Sequence, residues 1–371
     1  MRRRDLDTPA LLIDLDAMEH NIRKMADHYR GRKAKLRPHV KTHKTPIITH
    51  KQIEAGAIGA TCQKLEEAEI FARAGIRGIL ISNQVAGERK IARLVALSKW
   101  ADVTVGVDDL ENVQAISRAA QAVGARVDVA VEIYMGRCGA EGGAPAAALA
   151  RQIASLPGVR FRGIWSHDLS TPDVVAFAER KAKHEAALSR VIATKRLLDR
   201  DGIGVEIVSC GYSATWNITP DYSPEITDVQ VGSYVLMDWP YQQMEGMGDF
   251  RCALSVLTTV ISKNAGKGDR RNVIVTDCGI KSIATEHTAD YRITAFPKVK
   301  GLPGAEVIVH SEEHGLIQLD EAAFQRVQLG DQLELIPPHC CSTCNLHDRF
   351  QVLRGDEVVA VWPIEARGAA T

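Results

Sequence analysis

Between residues 34 and 240, short apolar runs rich in β-branched residues alternate with longer amphipathic stretches. This rhythm limits the fold more than any other feature of the chain. The runs fall at 35–40, 59–63, 78–82, 102–107, 127–134, 159–167, 205–209 and 229–237. Helical periodicity fills the intervals, as at 65–74, 88–100, 110–123, 145–155 and 174–201. Strands that alternate with helices build parallel sheets, because a parallel connection must cross over and a helix is the usual crossover. A strand covered by helices on both faces is apolar along its whole length rather than alternating, as most of these runs are. The pattern favours a (β/α)8 TIM-type barrel. An open doubly wound sheet has the same local pattern and stands as the alternative.

After about residue 245 the texture changes. Strand-like runs at 256–262, 272–276, 305–310, 316–319, 332–336, 349–353 and 358–362 follow one another with Gly and Asp turns and no long helix between them. That pattern predicts an antiparallel β domain. We expect a barrel over 20–244 and the β domain over 245–371, with residues 1–19 pairing with the latter through a run at 10–14.

Lys+Arg and Asp+Glu both number 46, so the formal net charge is zero and neither nucleic acid nor an anionic membrane is the expected partner. No apolar stretch reaches the length of a membrane span, and no signal-peptide core follows the basic start Met1-Arg2-Arg3-Arg4. The expected compartment is the cytoplasm. Eight cysteines in 371 residues are too sparse for a disulfide scaffold. Five are scattered, and three cluster as Cys340, Cys341 and Cys344 directly after His339.

Three segments can carry chemistry. The first is Arg37-Pro38-His39-Val40-Lys41-Thr42-His43-Lys44, at the end of the first barrel strand, where barrel enzymes keep their catalytic groups. A lysine desolvated among other cations loses its proton more readily and can form a Schiff base with an aldehyde cofactor. A plain basic surface loop is the competing reading. The second comprises Glu312-Glu313-His314-Gly315 and the later run from Pro337 to Asp348. In an extended segment, His339 and Cys341 would point to one face and could share a metal, with zinc the best match to an imidazole and a thiolate. A reduced structural cysteine cluster and a zinc knuckle through Cys341 and Cys344 compete with it. The third is glycine-rich punctuation at Gly136-Arg137-Cys138-Gly139, Cys210-Gly211-Tyr212-Ser213 and Gly232-Ser233-Tyr234. Small residues after late barrel strands can cradle a phosphate, though each alone also reads as a turn.

Taken in order along nearly the whole chain, these pieces resemble a family. The series begins with Thr8-Pro9-Ala10-Leu11-Leu12-Ile13-Asp14 and continues with Arg37-Pro38-His39-Val40-Lys41 and Cys62-Gln63-Lys64. It ends in Pro338-His339-Cys340-Cys341 and Asn345-Leu346-His347-Asp348. The series is similar to the D-threonine aldolase and D-serine dehydratase group of fold-type III pyridoxal-phosphate enzymes, which share their barrel with alanine racemase. The resemblance implies that Lys41 anchors pyridoxal 5'-phosphate and that Arg137 lies near the cofactor's phenolic oxygen. It implies that Gly211, Ser213, Gly232 and Tyr234 fall in the phosphate region. It also implies that His339 and Cys341 hold a divalent metal near the substrate hydroxyl, that His167 is the active-site histidine, and that the enzyme is a homodimer.

Within that group the motifs point two ways. The aldolases usually carry His-x-Asp at the metal, the dehydratases His-x-Cys as here, yet the tail after Asn345 looks like the aldolases. The resemblance therefore implies a lyase of D-3-hydroxy-amino acids. Retro-aldol cleavage to glycine and an aldehyde ranks narrowly above dehydration of D-serine or D-3-hydroxyaspartate to a 2-oxo acid and ammonia. An amino-acid racemase ranks lower, because it would need no metal pair. A cofactor carrier ranks lower too, because it would need no β domain. Zinc is the expected ion, with manganese or magnesium as alternatives.

Overall fold

All eight runs between residues 34 and 240 contain a strand in the computed structural model, which describes residues 1–171, 174–264, 271–288 and 293–371. The strands are Lys35–Leu36, Ala60–Cys62, Ile79–Gln84, Val103–Val107, Val127–Glu132, Val159–Trp165, Ile207–Cys210 and Asp228–Val229. From Ala60–Cys62 onward each pairs in parallel with the next, and Lys35–Leu36 pairs in parallel with Asp228–Val229. The ring closes between the first and second strands through a parallel bridge of His39 with Thr61 and the bonds Ile58 N to Leu36 O and Thr61 N to Pro38 O. This is the barrel rather than the open sheet.

The barrel interior follows from the apolar strands. Leu80, Ala130 and Trp165 form a fully buried cluster. Gly106 makes room for the indole, since a Cβ there would lie 2.7 Å from the Trp165 ring. Helices Leu65–Arg73, Glu88–Ser98, Leu110–Ala122, Ala144–Ala154 and Phe177–Arg200 are close to the expected spans. Asp109 starts one of them by accepting from the Asn112 amide at 3.0 Å. The two outer runs are shorter than expected as strands. The run at 35–40 continues past Leu36 only as the His39 bridge, and 229–237 leaves the sheet after Val229 for a 3-10 turn at Ser233–Val235. These shortened ends place Lys41 in a turn and Gly232 just before one. This unit comprises residues 25–41, 46–232 and 368–371.

The other unit comprises residues 1–24, 42–45 and 233–367. It is built on a nine-stranded, mostly antiparallel sheet around the long strand Leu254–Ser262. Ala10–Asp14 pairs antiparallel with that strand and parallel with Arg349–Arg354, so the N-terminal run joins this sheet. Leu6, Ala10, Leu12, Leu257 and Leu353 pack beneath it.

His310 sits on the strand Glu306–His310 opposite Gly315, where a Cβ would come within 2.9 Å of its Nε2. Both ring nitrogens are buried without a hydrogen-bond partner among the described residues, and burial pushes the imidazole down to about 4. An unfolded histidine titrates near 6.5. The folded state thus favours the neutral ring. That stability is fully present above about pH 6.5 and is lost as pH falls toward about 4. His310→Phe should shrink the loss of urea stability between pH 7 and pH 4.5 by about 2 kcal/mol. An unchanged loss would contradict the assignment.

Candidate active site

Lys41 lies in the 3-10 turn Val40–Thr42 that ends the first barrel strand. The turn is fixed through His39. Its backbone amide donates to Val231 O at 2.9 Å, and its Nδ1 accepts from the Lys41 amide at 3.4 Å. Nε2 therefore carries the proton and donates to Gln63 Oε1 at 3.2 Å. Burial, then the Lys41 cation and His167, hold the His39 pKa well below its ordinary value, so the ring is neutral. Arg37 does not add a free cation beside the lysine, because its guanidinium is buried against Asp228 at 3.0 Å.

Arg137 stands at the same end of the barrel. It donates to Glu132 Oε1 at 3.1 Å and to Ser82 O at 3.4 Å. Gln84 Nε2 and Cys138 Sγ also donate to Glu132, at 2.5 and 3.3 Å. Burial raises the Glu132 pKa despite these donors. Asp108, Glu132 and Cys138 form a group of three metal-type ligands among the described residues. The Arg137 guanidinium already supplies the cation there, so the group does not suit a metal.

His167 follows the strand Val159–Trp165. Burial, then Lys41 and Arg137, push its pKa down to about 3, against the opposing pull of Asp168. It is thus a neutral imidazole under ordinary conditions. Asp168 turns away into a buried network, with Oδ2 2.6 Å from His184 Nδ1, while His184 Nε2 meets Thr219 Oγ1 at 2.9 Å. Thr171 ties Asp168 to the Tyr212 hydroxyl at 2.7 Å.

The same network reaches the late glycine-rich loops. Thr219 fills the space beside Gly211, whose φ is +78° and whose Cβ would lie 2.5 Å from Thr219 Oγ1. Only glycine fits there. Ser213 opens the turn Ser213–Thr215, and its Oγ accepts from the Gly232 amide at 3.2 Å. Tyr234 is fully buried with its ring edge-on to Phe250, so its side chain is core; the turn Ser233–Val235 is where its backbone lies. A hydroxyl, amides at the starts of short turns and a neighbouring loop free of carboxylates suit a phosphate. With an amine at Lys41 and a guanidinium at Arg137, the barrel residues fit pyridoxal 5'-phosphate.

The candidate metal pair lies in the β unit and departs from the extended geometry expected for it. His339 is extended but serves as the N-cap of a short helix, Cys340–Cys344, which contains Cys341. The helix forms because the Cys340 amide is caught by Asp238 Oδ1 at 2.6 Å and Thr343 Oγ1 donates back to His339 O at 2.9 Å. The side chains of His339 and Cys341 still meet in a hydrogen bond. Cys341 Sγ also donates to Thr42 Oγ1 at 3.4 Å, and Thr42 follows Lys41 in the chain. Burial alone would lower the His339 pKa, but the electrostatic pull of Cys341 and Asp238, with their hydrogen bonds, outweighs it and holds it well above its ordinary value. A pocket that favours positive charge on imidazole, beside a thiol, fits a divalent cation.

The competing readings fare differently. Cys344 is fully buried, and burial raises its thiol well above the usual range. No second ligand pair completes a zinc knuckle with it among the described residues. Glu312-Glu313-His314 is an exposed connection whose Glu313 pairs with Lys281 at 2.6 Å, and it does not join the metal pair. All eight cysteines are free. Sequence reasoning passed over Gln63, Glu132, His184 and Asp238 as site residues. Gln63 stood in a quoted motif, but nothing local marks the other three, whose partners are distant in sequence or contextual.

Comparison with known proteins bears on the family and the fold. Residues 13–240 match the model of the alanine racemase N-terminal domain, and residues 253–353 that of a putative serine dehydratase domain. The chain is 35% identical to a 3-hydroxy-D-aspartate aldolase of Paracoccus denitrificans (strain Pd 1222), over 99% of this chain and 94% of that protein. It is 36% identical to a D-threonine aldolase of an Arthrobacter species, over 98% and 93%. The crystal structure of D-threonine aldolase from Filomicrobium marinum superposes with a TM-score of 0.92 at 35% identity, covering 99% of this chain and 98% of that one. With a barrel-end lysine, a phosphate-type loop and a His–Cys pair in place, the chain belongs to the D-threonine aldolase and D-serine dehydratase group of fold-type III, alanine-racemase-like pyridoxal-phosphate enzymes.

Proposed function

We propose that the protein is a lyase that cleaves D-3-hydroxy-amino acids of the D-threonine type to glycine and an aldehyde. The observation that carries this reading over dehydration is the place of His167, just past the strand Val159–Trp165 at the barrel end that also carries Lys41 and Arg137. Cleavage needs a base for the substrate's β-hydroxyl proton in addition to the lysine that anchors the cofactor, and an imidazole at that end is the group for it.

Lys41 would anchor pyridoxal 5'-phosphate through its amine. Arg137, oriented by Glu132, would hold the phenolic oxygen, and Ser213 with the backbone of Gly211 and Gly232 would hold the phosphate. The cofactor, when bound, supplies the ring that accepts the electron pair released at Cα. His339 and Cys341 hold a divalent ion, zinc in preference to manganese or magnesium, whose chemistry is to acidify the β-hydroxyl. His167 takes the hydroxyl proton. The O–H pair becomes the aldehyde carbonyl as the Cα–Cβ bond breaks, and Cα is reprotonated to give glycine. Dehydration is the second reading, favoured by Cys341 where an aspartate is usual in the aldolases. In it Lys41 takes the α-proton and the hydroxyl leaves, giving a 2-oxo acid and ammonia.

Purified holoenzyme given D-threonine should release glycine and acetaldehyde in equal amounts and leave L-threonine untouched. Ammonia and a 2-oxo acid as the products would overturn cleavage in favour of dehydration. We further propose a homodimer, a reading that rests on the family resemblance. A fully active monomer in light scattering at micromolar concentration would exclude it. A cytoplasmic setting is supported by eight free cysteines. Among the described residues no helix is long and apolar enough to cross a membrane. Disulfides formed in the protein isolated without reductant would contradict the cytoplasmic setting.

A further inference from the structure

Asp238 occupies the N-cap position of the short helix Trp239–Gln242, a place where aspartate normally bonds the helix's own first amides. Its side chain makes no such bond. It is instead 1% exposed and turned toward a segment a hundred residues later. Oδ1 accepts from the Cys340 amide at 2.6 Å, and Oδ2 lies 3.1 Å from His339 Nδ1. A carboxylate taken out of water is costly unless its oxygens are satisfied. This one is satisfied by an amide and an imidazole that together frame Cys341. The backbone of His339 is held from its other side by the Thr343 hydroxyl.

Oδ1 already accepts from the Cys340 amide, so Oδ2 is the oxygen left to accept from His339, and Nδ1 is the nitrogen that faces it. The proton of a neutral His339 then sits on Nδ1, and the lone pair is on Nε2. A metal-binding histidine uses the nitrogen that bears the lone pair, and the partner of the other nitrogen decides which one that is. We propose that Asp238 is a positioning residue for the metal. It presents Nε2 of His339 to the ion and, by holding the Cys340 amide, fixes the helical turn that carries the Cys341 thiolate. The inference rests on the reading that His339 and Cys341 hold a divalent cation.

The test uses the holoenzyme stripped of metal by a chelator and titrated with Zn²⁺ against a competing dye, with Co²⁺ as a spectroscopic probe. Asp238→Asn keeps an oxygen for the Cys340 amide but cannot accept from a protonated Nδ1 without turning that oxygen away. Its zinc affinity should fall about 10- to 100-fold, and the Co²⁺ ligand-field spectrum should change. The cofactor absorbance should stay as in the wild type. Equal zinc affinity in wild type and variant would overturn the role of Asp238 while leaving the metal reading standing. No zinc bound by the wild type would instead overturn the metal reading beneath it. If the variant does not accumulate folded, ¹⁵N-histidine NMR of the metal-free wild type, at a pH high enough that the His339 ring is neutral, decides the matter. A His339 proton on Nδ1 supports the proposal, and a neutral ring protonated on Nε2 overturns it.

Discussion

Lys41→Ala should abolish the reaction and the cofactor's covalent attachment together. The lysine ends the turn Val40–Thr42's first half, next to a His39 ring whose Nδ1 is bonded to the lysine's own amide. Cleavage should fall on the order of 10⁴-fold or more, the scale of losing a covalent catalyst whose partners remain in place. The visible band of the bound cofactor should shift to that of the free aldehyde. In the wild type, borohydride should fix the cofactor on the peptide that contains Lys41. A label on Lys44 or Lys64 would contradict the assignment, and Lys44 already donates to Ala366 O at 3.3 Å.

The second large effect concerns the thiol. Cys341→Ala removes one of two protein ligands, and chelation removes the ion. Either should cost several kcal/mol of transition-state stabilisation, about 10³-fold in rate. Both should leave the cofactor band largely intact, because the ion acts on the β-substituent rather than the ring. Cys344→Ala should lose little activity, since Cys344 is buried and is not the thiol that meets His339. Loss of metal from Cys344→Ala with retention in Cys341→Ala would reverse the assignment of the ligand.

The barrel was legible because its strands are apolar along their length and its helices keep a clear 3.6-residue period, as in Val103–Val107 and Leu110–Ala122. The two outer runs misled in length. Residues 230–237 are largely apolar but leave the sheet for the turn Ser233–Val235, and Arg37-Pro38-His39-Val40 runs into the turn that carries Lys41; local pattern cannot distinguish a buried turn from a buried strand. Spacing singled out His339 and Cys341, but the geometry at these positions is a helix N-cap and first turn rather than a strand. An offset of two brings side chains together in either case when the first residue is extended and the second enters a helix. Glu132 and Asp238 were not legible at all. Each reads locally as a strand-end or cap residue, and only the fold brings its carboxylate to Arg137 or to His339.

The central claim is that a lysine-anchored cofactor and a His–Cys-bound ion serve one reaction. It is tested most directly by stripping metal from the holoenzyme and titrating it back while following cofactor absorbance and acetaldehyde release from D-threonine in the same cuvette. The account predicts a constant cofactor band, with aldehyde release rising from near zero to saturation at one divalent ion per chain. Full activity before any ion is added would contradict it.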